Sequence, residues 1–141
     1  MGQEKENMRY TTISIPTPLA EKVKKQMDYF LHHPHIRVCH TREIWKRKHK
    51  IISQKTQKHQ RSGYIFNDAL KKCIIGPSTV MLHQSVLKDT GMFHPGLEIA
   101  EDYELWLRIT AREKVGYIDE PLVIKQAGHP GQLSEKYGHI E

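Results

Sequence analysis

Apolar residues recur every three or four positions in several stretches of this chain, and that spacing predicts amphipathic helices. The first predicted helix covers residues 19–33 and stops at Pro34. Thr17 followed by Pro18 is typical of a helix N-terminus. The apolar face of this helix is predicted to contain Leu19, Val23, Met27, and Phe30 or Leu31.

Other stretches of the chain predict short strands and further helices. Short β-branched or alternating apolar runs predict strands near residues 36–41, 78–82 and 115–125. Further helices are predicted after Gly63 and over residues 84–91, where Gly91 is typical of a helix C-terminus. This mixture of helices and strands predicts an α/β fold class.

The clearest amphipathic pattern, residues 98–113, contains one acidic residue at an apolar position. Glu104 and Arg108 have the spacing of an i, i+4 ion pair on the polar side. Asp102 instead projects between Trp106 and Ile109, towards the interior. Such a carboxylate can act as a general base, or it can cap free backbone N–H groups in the first helical turn. The pattern leaves both interpretations open.

The positive charge is concentrated in one segment. The chain has 141 residues, enough for one modest domain, and a formal net charge of +6. Residues 40–61 contain eight Lys or Arg and a single acid, Glu43. This segment is expected to be a solvated basic loop, and a nucleic-acid or phosphate-binding surface is the alternative. Peripheral membrane contact through the same segment is also open.

The cysteine spacing and the lengths of the apolar runs indicate the cellular compartment in which the protein is expected. Cys39 and Cys73 form no CxxC motif, which is typical of reduced thiols in a cytosolic protein. The sequence has no recognisable signal peptide and no apolar run of transmembrane length. A cytoplasmic location without a transmembrane segment is therefore expected.

Several blocks of the sequence, in order, resemble one enzyme family. The run AEDYELWLRI (100–109) resembles the Glu-Asp motif helix of family 2 glycosyltransferases, which have the Rossmann-like GT-A fold. The segments that also resemble this family are 39–50, 58–66, 73–93, 115–125 and 127–134. The resemblance spans residues 20–134 and implies a partial GT-A domain. It leaves residues 1–19 as a polar N-terminal segment with one short strand, and residues 135–141 as a tail.

The resemblance implies inverting transfer of a sugar from a nucleotide sugar to an acceptor hydroxyl. Asp102 would be the general base, and Glu101 would orient or bind the acceptor. Trp106 and Arg108 would hold the helix on the acceptor side. His129 would lie at the divalent metal, Mg²⁺ or Mn²⁺, or at the donor diphosphate, where positive charge stabilises the leaving group.

One part of the family pattern is missing. None of the five aspartates, Asp28, Asp68, Asp89, Asp102 and Asp119, forms the Asp-x-Asp motif of the donor site. The resemblance therefore implies an acceptor-side half of a truncated domain that is inactive alone, because catalysis needs both reactants in position. Such a half-domain is expected to expose Val38, Val80 and Leu82 and to self-associate.

Two other functions are compatible with the sequence. Residues 9–27 resemble the strand and first helix of ribbon-helix-helix DNA-binding proteins, in which Arg9, Thr11 and Ser14 would enter the major groove. The second alternative is a non-catalytic interaction protein that has kept part of the glycosyltransferase fold. Nucleic-acid binding is the less favoured of the partner classes.

Overall fold

The described part of the chain is a mixed α/β structure. A computed structural model describes residues 17–52 and 59–126. Within them lie four helices, a 3₁₀ turn at Pro77–Thr79 and one four-stranded sheet. The helices are α1 (Thr17–His32), α2 (Phe66–Lys71), α3 (Gln84–Thr90) and α4 (Glu101–Thr110). The strands are β1 (Val38–Arg47), β2 (Lys50–Ile52), β3 (Met81–Leu82) and β4 (Val115–Gln126). The predicted α/β class is confirmed.

Strand β1 lies at the centre of the sheet. It pairs in parallel with β4 from Val38 to Lys46, with register shifts on both sides of Arg42. Its other edge pairs antiparallel with β3 near Val38 and with β2 near Arg47. Both edges of β1 are therefore occupied near each of its ends.

The hydrophobic core lies on one face of this sheet, under α2, α3 and α4. Val38 and Val115 contribute to it from the paired strands β1 and β4. The other buried members are Ile65, Ala69, Ile74, Ile75, Val86, Leu105, Trp106 and Ile109. The expectation that Val38 is exposed is wrong, because β3 and β4 cover both sides of it. Val80 and Leu82 are half-buried against the same core.

Helix α1 covers the opposite face through polar side chains. Gln26 Nε2 donates to the carbonyl oxygens of Thr79 (2.9 Å) and Cys39 (3.3 Å). Lys22 Nζ in turn donates to Gln26 Oε1 at 2.6 Å, and burial lowers the pKa of this lysine. Buried carbonyl groups need donors, and Gln26 supplies them.

The predicted apolar face of α1 is therefore wrong in part, since Val23 and Phe30 are half-buried but the other predicted members are not. The buried positions of the helix include Lys22 and Gln26. Leu19, Met27 and Leu31 are exposed. The helix is oriented by the hydrogen-bonding needs of the sheet, which its own spacing of apolar residues does not encode.

The first part of the basic segment is a β-hairpin and not the predicted loop. Strand β1 continues to Arg47, and β2 begins at Lys50. Between them Lys48 and His49 have positive φ values of 48° and 68°. Two consecutive residues of this kind form the tight turn that suits twisted antiparallel strands. Residues 53–58 lie outside the described part.

No helix in residues 17–52 and 59–126 is long and apolar enough to cross a lipid bilayer. The longest one, α1, has 16 residues and carries several charged side chains. The expectation about transmembrane segments is met for this part of the chain.

His40, on strand β1, is a buried titratable group. Its Nε2 atom lies 2.7 Å from the carbonyl oxygen of Arg61, and its ring lies 4.8 Å from that of Tyr117. Burial lowers the pKa of His40 from 6.5 to about 4. The imidazole is therefore neutral in the folded protein at neutral pH, and its Nε2–H donates a hydrogen bond to the carbonyl oxygen of Arg61.

We expect His40 to make the folded state sensitive to mild acid. The unfolded chain takes up a proton near pH 6.5, whereas the folded chain does so only near pH 4. Stability from neutral His40 is therefore present above the unfolded pKa and is lost as the pH falls. Between pH 7 and pH 5 the loss should be about 2 kcal/mol. Denaturant unfolding of the wild type and of His40→Gln at both pH values measures it. An equal pH dependence of the two proteins would contradict the assignment.

Candidate active site

The candidate site is the first turn of α4. Ala100, immediately before the helix, adopts a left-handed conformation (φ 57°, ψ 24°) and makes no side-chain cap. Three acids follow at once, Glu101, Asp102 and Glu104. The helix dipole favours negative charge at this end, so the turn tolerates these carboxylates together.

Asp102 lies at the margin of the buried face of α4. It precedes Leu105 and Trp106, both buried, by three and four residues and so shares their side of the helix. Asp102 itself is half-buried. Its carboxylate forms neither a hydrogen bond nor an ion pair with any residue in the described ranges. The capping alternative is thus not realised, and no donor among the described residues occupies either carboxylate oxygen.

Tyr103 fixes the backbone next to Asp102. Its hydroxyl donates to the carbonyl oxygen of Ala69 at 2.5 Å, with that of Leu70 at 3.2 Å. Both carbonyls belong to α2, so this hydroxyl joins the first turn of α4 to the neighbouring helix. The position of Asp102 therefore depends on tertiary contacts and not on helix propensity alone.

Arg108 fixes the other side of α4. It donates to both carboxylate oxygens of Glu104, at 2.7 and 2.8 Å, which confirms the predicted i, i+4 pair. This hydrogen bonding lowers the pKa of Glu104 and raises that of Arg108. Arg108 also donates to the carbonyl oxygens of Thr90 (2.5 Å) and Met92 (2.6 Å). The guanidinium thereby joins α4 to the end of α3 and to the loop that leads back to Asp102.

The other predicted site residues have different surroundings. Trp106 is buried in the core, where its Nε1 finds no acceptor among the described residues. Glu101 is half-buried next to Asp102. His129 lies outside the described residues. Within residues 17–52 and 59–126, no three His, Cys, Asp or Glu side chains form a group that could hold a metal ion.

Sequence reasoning missed the half-buried acid Glu43. Its Oε1 accepts a hydrogen bond from Trp45 Nε1 at 3.0 Å, and its Oε2 lies 3.9 Å from Lys125 Nζ. The carboxylate packs against Gly76, where a Cβ atom would lie only 2.7 Å from Oε2. The only signal in the sequence was that Glu43 is the single acid of a basic segment.

Arg37 was also missed, because its partners are distant in sequence. It donates to Ser85 Oγ and to Asp89 Oδ2, both at 2.9 Å, and pairs with Glu113. These contacts join the residue before β1 to α3 and to the segment after α4. They contribute to the frame that supports the first turn of α4, without touching Asp102.

Comparison with known proteins assigns no family to this chain. No protein-family model matches it, and neither does any curated protein. The relation to family 2 glycosyltransferases therefore remains a prediction from the ordered sequence blocks. The structure adds the surroundings of Asp102 to that prediction.

We expect the Arg108 contacts to be stabilising. Arg108→Gln should lower the free energy of unfolding by about 1 kcal/mol, a value discounted for solvent screening because the side chain is 31% exposed. Arg112→Gln is the matched control, since the exposed Arg112 makes one hydrogen bond within the described ranges, at 3.1 Å to the Asp89 carbonyl oxygen. The control should change stability by less than about 0.5 kcal/mol. Equal effects of the two variants in denaturant unfolding would contradict a special role for Arg108.

Proposed function

We propose that this chain is the acceptor-side part of a family 2 glycosyltransferase domain of the Rossmann-like GT-A class. The observation that carries the proposal is the half-buried carboxylate of Asp102, which has no partner among the described residues. It stands on a helical turn held by Tyr103 and Arg108. An exposed acid on a frayed helix would have neither this partial burial nor this fixed position.

In the proposed reaction Asp102 is the general base. An acceptor hydroxyl donates a hydrogen bond to the Asp102 carboxylate and transfers its proton to it. The acceptor oxygen then forms a bond to the anomeric carbon of a nucleotide sugar, while the bond from that carbon to the diphosphate breaks. The nucleoside diphosphate leaves with the bonding electron pair, and the anomeric configuration inverts. Glu101, on the same turn, would bind a further hydroxyl of the acceptor.

The donor side of the reaction needs residues beyond this site. The described residues offer no side-chain set that fits Mg²⁺ or Mn²⁺, so we assign no step to a metal here. His129, at the position implied for the metal or the donor diphosphate, lies outside the described part. Because positioning of both reactants supplies much of the rate, we propose that transfer requires a donor-binding part in addition to residues 20–134.

A non-catalytic interaction protein is the second candidate function. The exposed apolar residues Leu19, Met27 and Leu31 of α1 favour it, with Leu31 73% exposed. The DNA-binding alternative gains no comparable support. Its ribbon residues 9–16 lie outside the described part, and β1 rather than a second helix follows α1.

We expect Asp102→Asn to remove transfer without removing donor binding. The polypeptide should first be isolated from its source, its intact mass measured, and the species of that mass assayed. Nucleoside diphosphate release from a panel of nucleotide sugars, with and without acceptor, is the readout. Loss of the base should lower kcat about 100-fold or more, with the KM for the donor little changed.

Asp119→Asn is the matched control for this experiment. Asp119 lies on β4 and its side chain is 75% exposed, so the same chemical change there should leave kcat unaltered. An Asp102→Asn protein that retains full transfer would rule out the proposed base. If the natural polypeptide releases no diphosphate from any donor, the interaction function replaces the enzymatic one.

A further inference from the structure

The tip of the β1–β2 hairpin carries a dense group of cations. We define the basic hairpin as residues 46–52, together with Ile124 on the neighbouring strand β4. Its cations are Lys46, Arg47, Lys48 and Lys50. Among the described residues none of the four has an acidic partner; Lys46 is half-buried, and the other three are exposed. The nearest acid in sequence, Glu43, is already paired with Lys125.

The same hairpin exposes large aliphatic side chains. Ile51 is 67% exposed and Ile124 is 57% exposed. Ile51 pairs with Lys46 and Ile124 pairs with Ile44, and residues 44 and 46 lie on one side of β1. Ile44, Ile51 and Ile124 therefore form one aliphatic face, with the methylene stem of Lys46 between them.

The turn geometry places positive charge around the end of this face. Arg47 and Lys50 are the last paired residues of the hairpin, and Lys48 and His49 form the left-handed turn between them. The charged ends thus surround the tip, while the isoleucines begin one residue further back. An aliphatic surface with a cationic border suits the boundary between lipid headgroups and acyl chains.

We propose that the basic hairpin is a membrane-docking surface for anionic phospholipids. The cations would contact headgroup phosphates and carboxylates, and Ile51 and Ile124 would enter the interfacial region. The proposal stands independently of the proposed sugar transfer, because none of these residues belongs to the candidate active site. It concerns peripheral binding only.

The structure favours a lipid surface over nucleic acid. Single-stranded nucleic acids are bound by cations together with exposed aromatic rings on which bases stack. Trp45 is the aromatic residue of this hairpin region, and Lys125 Nζ already lies 5.0 Å from the centre of its ring. The exposed isoleucines would gain little from contact with phosphate or sugar, whereas a bilayer interface buries them.

Vesicle co-sedimentation of the full chain tests the proposal. The vesicles are phosphatidylcholine alone, or phosphatidylcholine with about one third phosphatidylserine. Binding should require phosphatidylserine and weaken as the salt is raised from about 0.05 to about 0.5 M. The triple variant Arg47→Gln, Lys48→Gln, Lys50→Gln should lower the partition coefficient about 100-fold.

A charge-matched variant separates the hairpin from net charge. Lys71→Gln, Lys88→Gln, Lys114→Gln removes the same three charges from exposed positions outside the hairpin and should change binding less than about threefold. The double variant Ile51→Ser, Ile124→Ser tests the aliphatic face and should weaken binding about tenfold while the charge is unchanged. Circular dichroism and thermal melts of each variant confirm folding.

Several outcomes would overturn the proposal. Equal losses in the two charge variants would mean that net charge alone attracts the chain to vesicles. Duplex or single-stranded DNA bound more tightly than vesicles, without any effect of the isoleucine variant, would identify nucleic acid as the ligand. If the isoleucine variant converts a dimer to a monomer in sedimentation equilibrium and leaves vesicle binding unchanged, the face is a self-association surface.

Discussion

Strand β1 is held along one edge by β4 and at both ends of its other edge by short antiparallel strands. Its backbone polar groups must be satisfied because its first half is buried on both faces. The parallel pairing with β4 supplies most of these hydrogen bonds, and it brings Val38 and Val115 together at the centre of the core. The helices α2, α3 and α4 pack on the face that this pairing creates.

Helix α1 packs closely on the opposite face of the sheet, and this close packing explains why polar groups orient the helix. The close approach of the helix leaves no room for a side chain at residue 116, since a Cβ atom there would lie 2.3 Å from the Tyr29 ring. At that separation Gln26 reaches two main-chain carbonyls, and Lys22 is buried behind it. Satisfying buried polar groups therefore outweighs burial of the aliphatic residues that the helix also carries.

Local interactions could be predicted from the sequence, and long-range ones could not. The Glu104–Arg108 pair and the helix end at Gly91, whose N–H donates to the Leu87 carbonyl, depend on residues within one turn. The orientation of α1 depends on carbonyls of β1 and of the 3₁₀ turn, which no periodicity in α1 reveals. The hairpin was missed because its turn uses Lys48 and His49 in place of the usual Asn-Gly pair.

In the candidate site, too, the local feature could be predicted from the sequence and the long-range contacts could not. The amphipathic pattern alone placed Asp102 on the side of the helix that faces the interior, and the structure has it on the margin of that face. The Tyr103 and Arg108 contacts that hold the turn end on main-chain carbonyls. Carbonyl groups are common to all residues, so nothing in the amino-acid pattern identifies which of them will accept such bonds.

The parallel pairing of β1 with β4 also has a consequence for the order in which the chain folds. Val38 and Val115 are far apart in the sequence, so closing this pair costs more chain entropy than closing any hairpin. During synthesis β1 leaves the ribosome well before its main partner exists. The β1–β2 hairpin can form early, but the other edge of β1 must wait until β4 has emerged. In that interval a nascent chain is open to strand pairing with its neighbours on the same polysome.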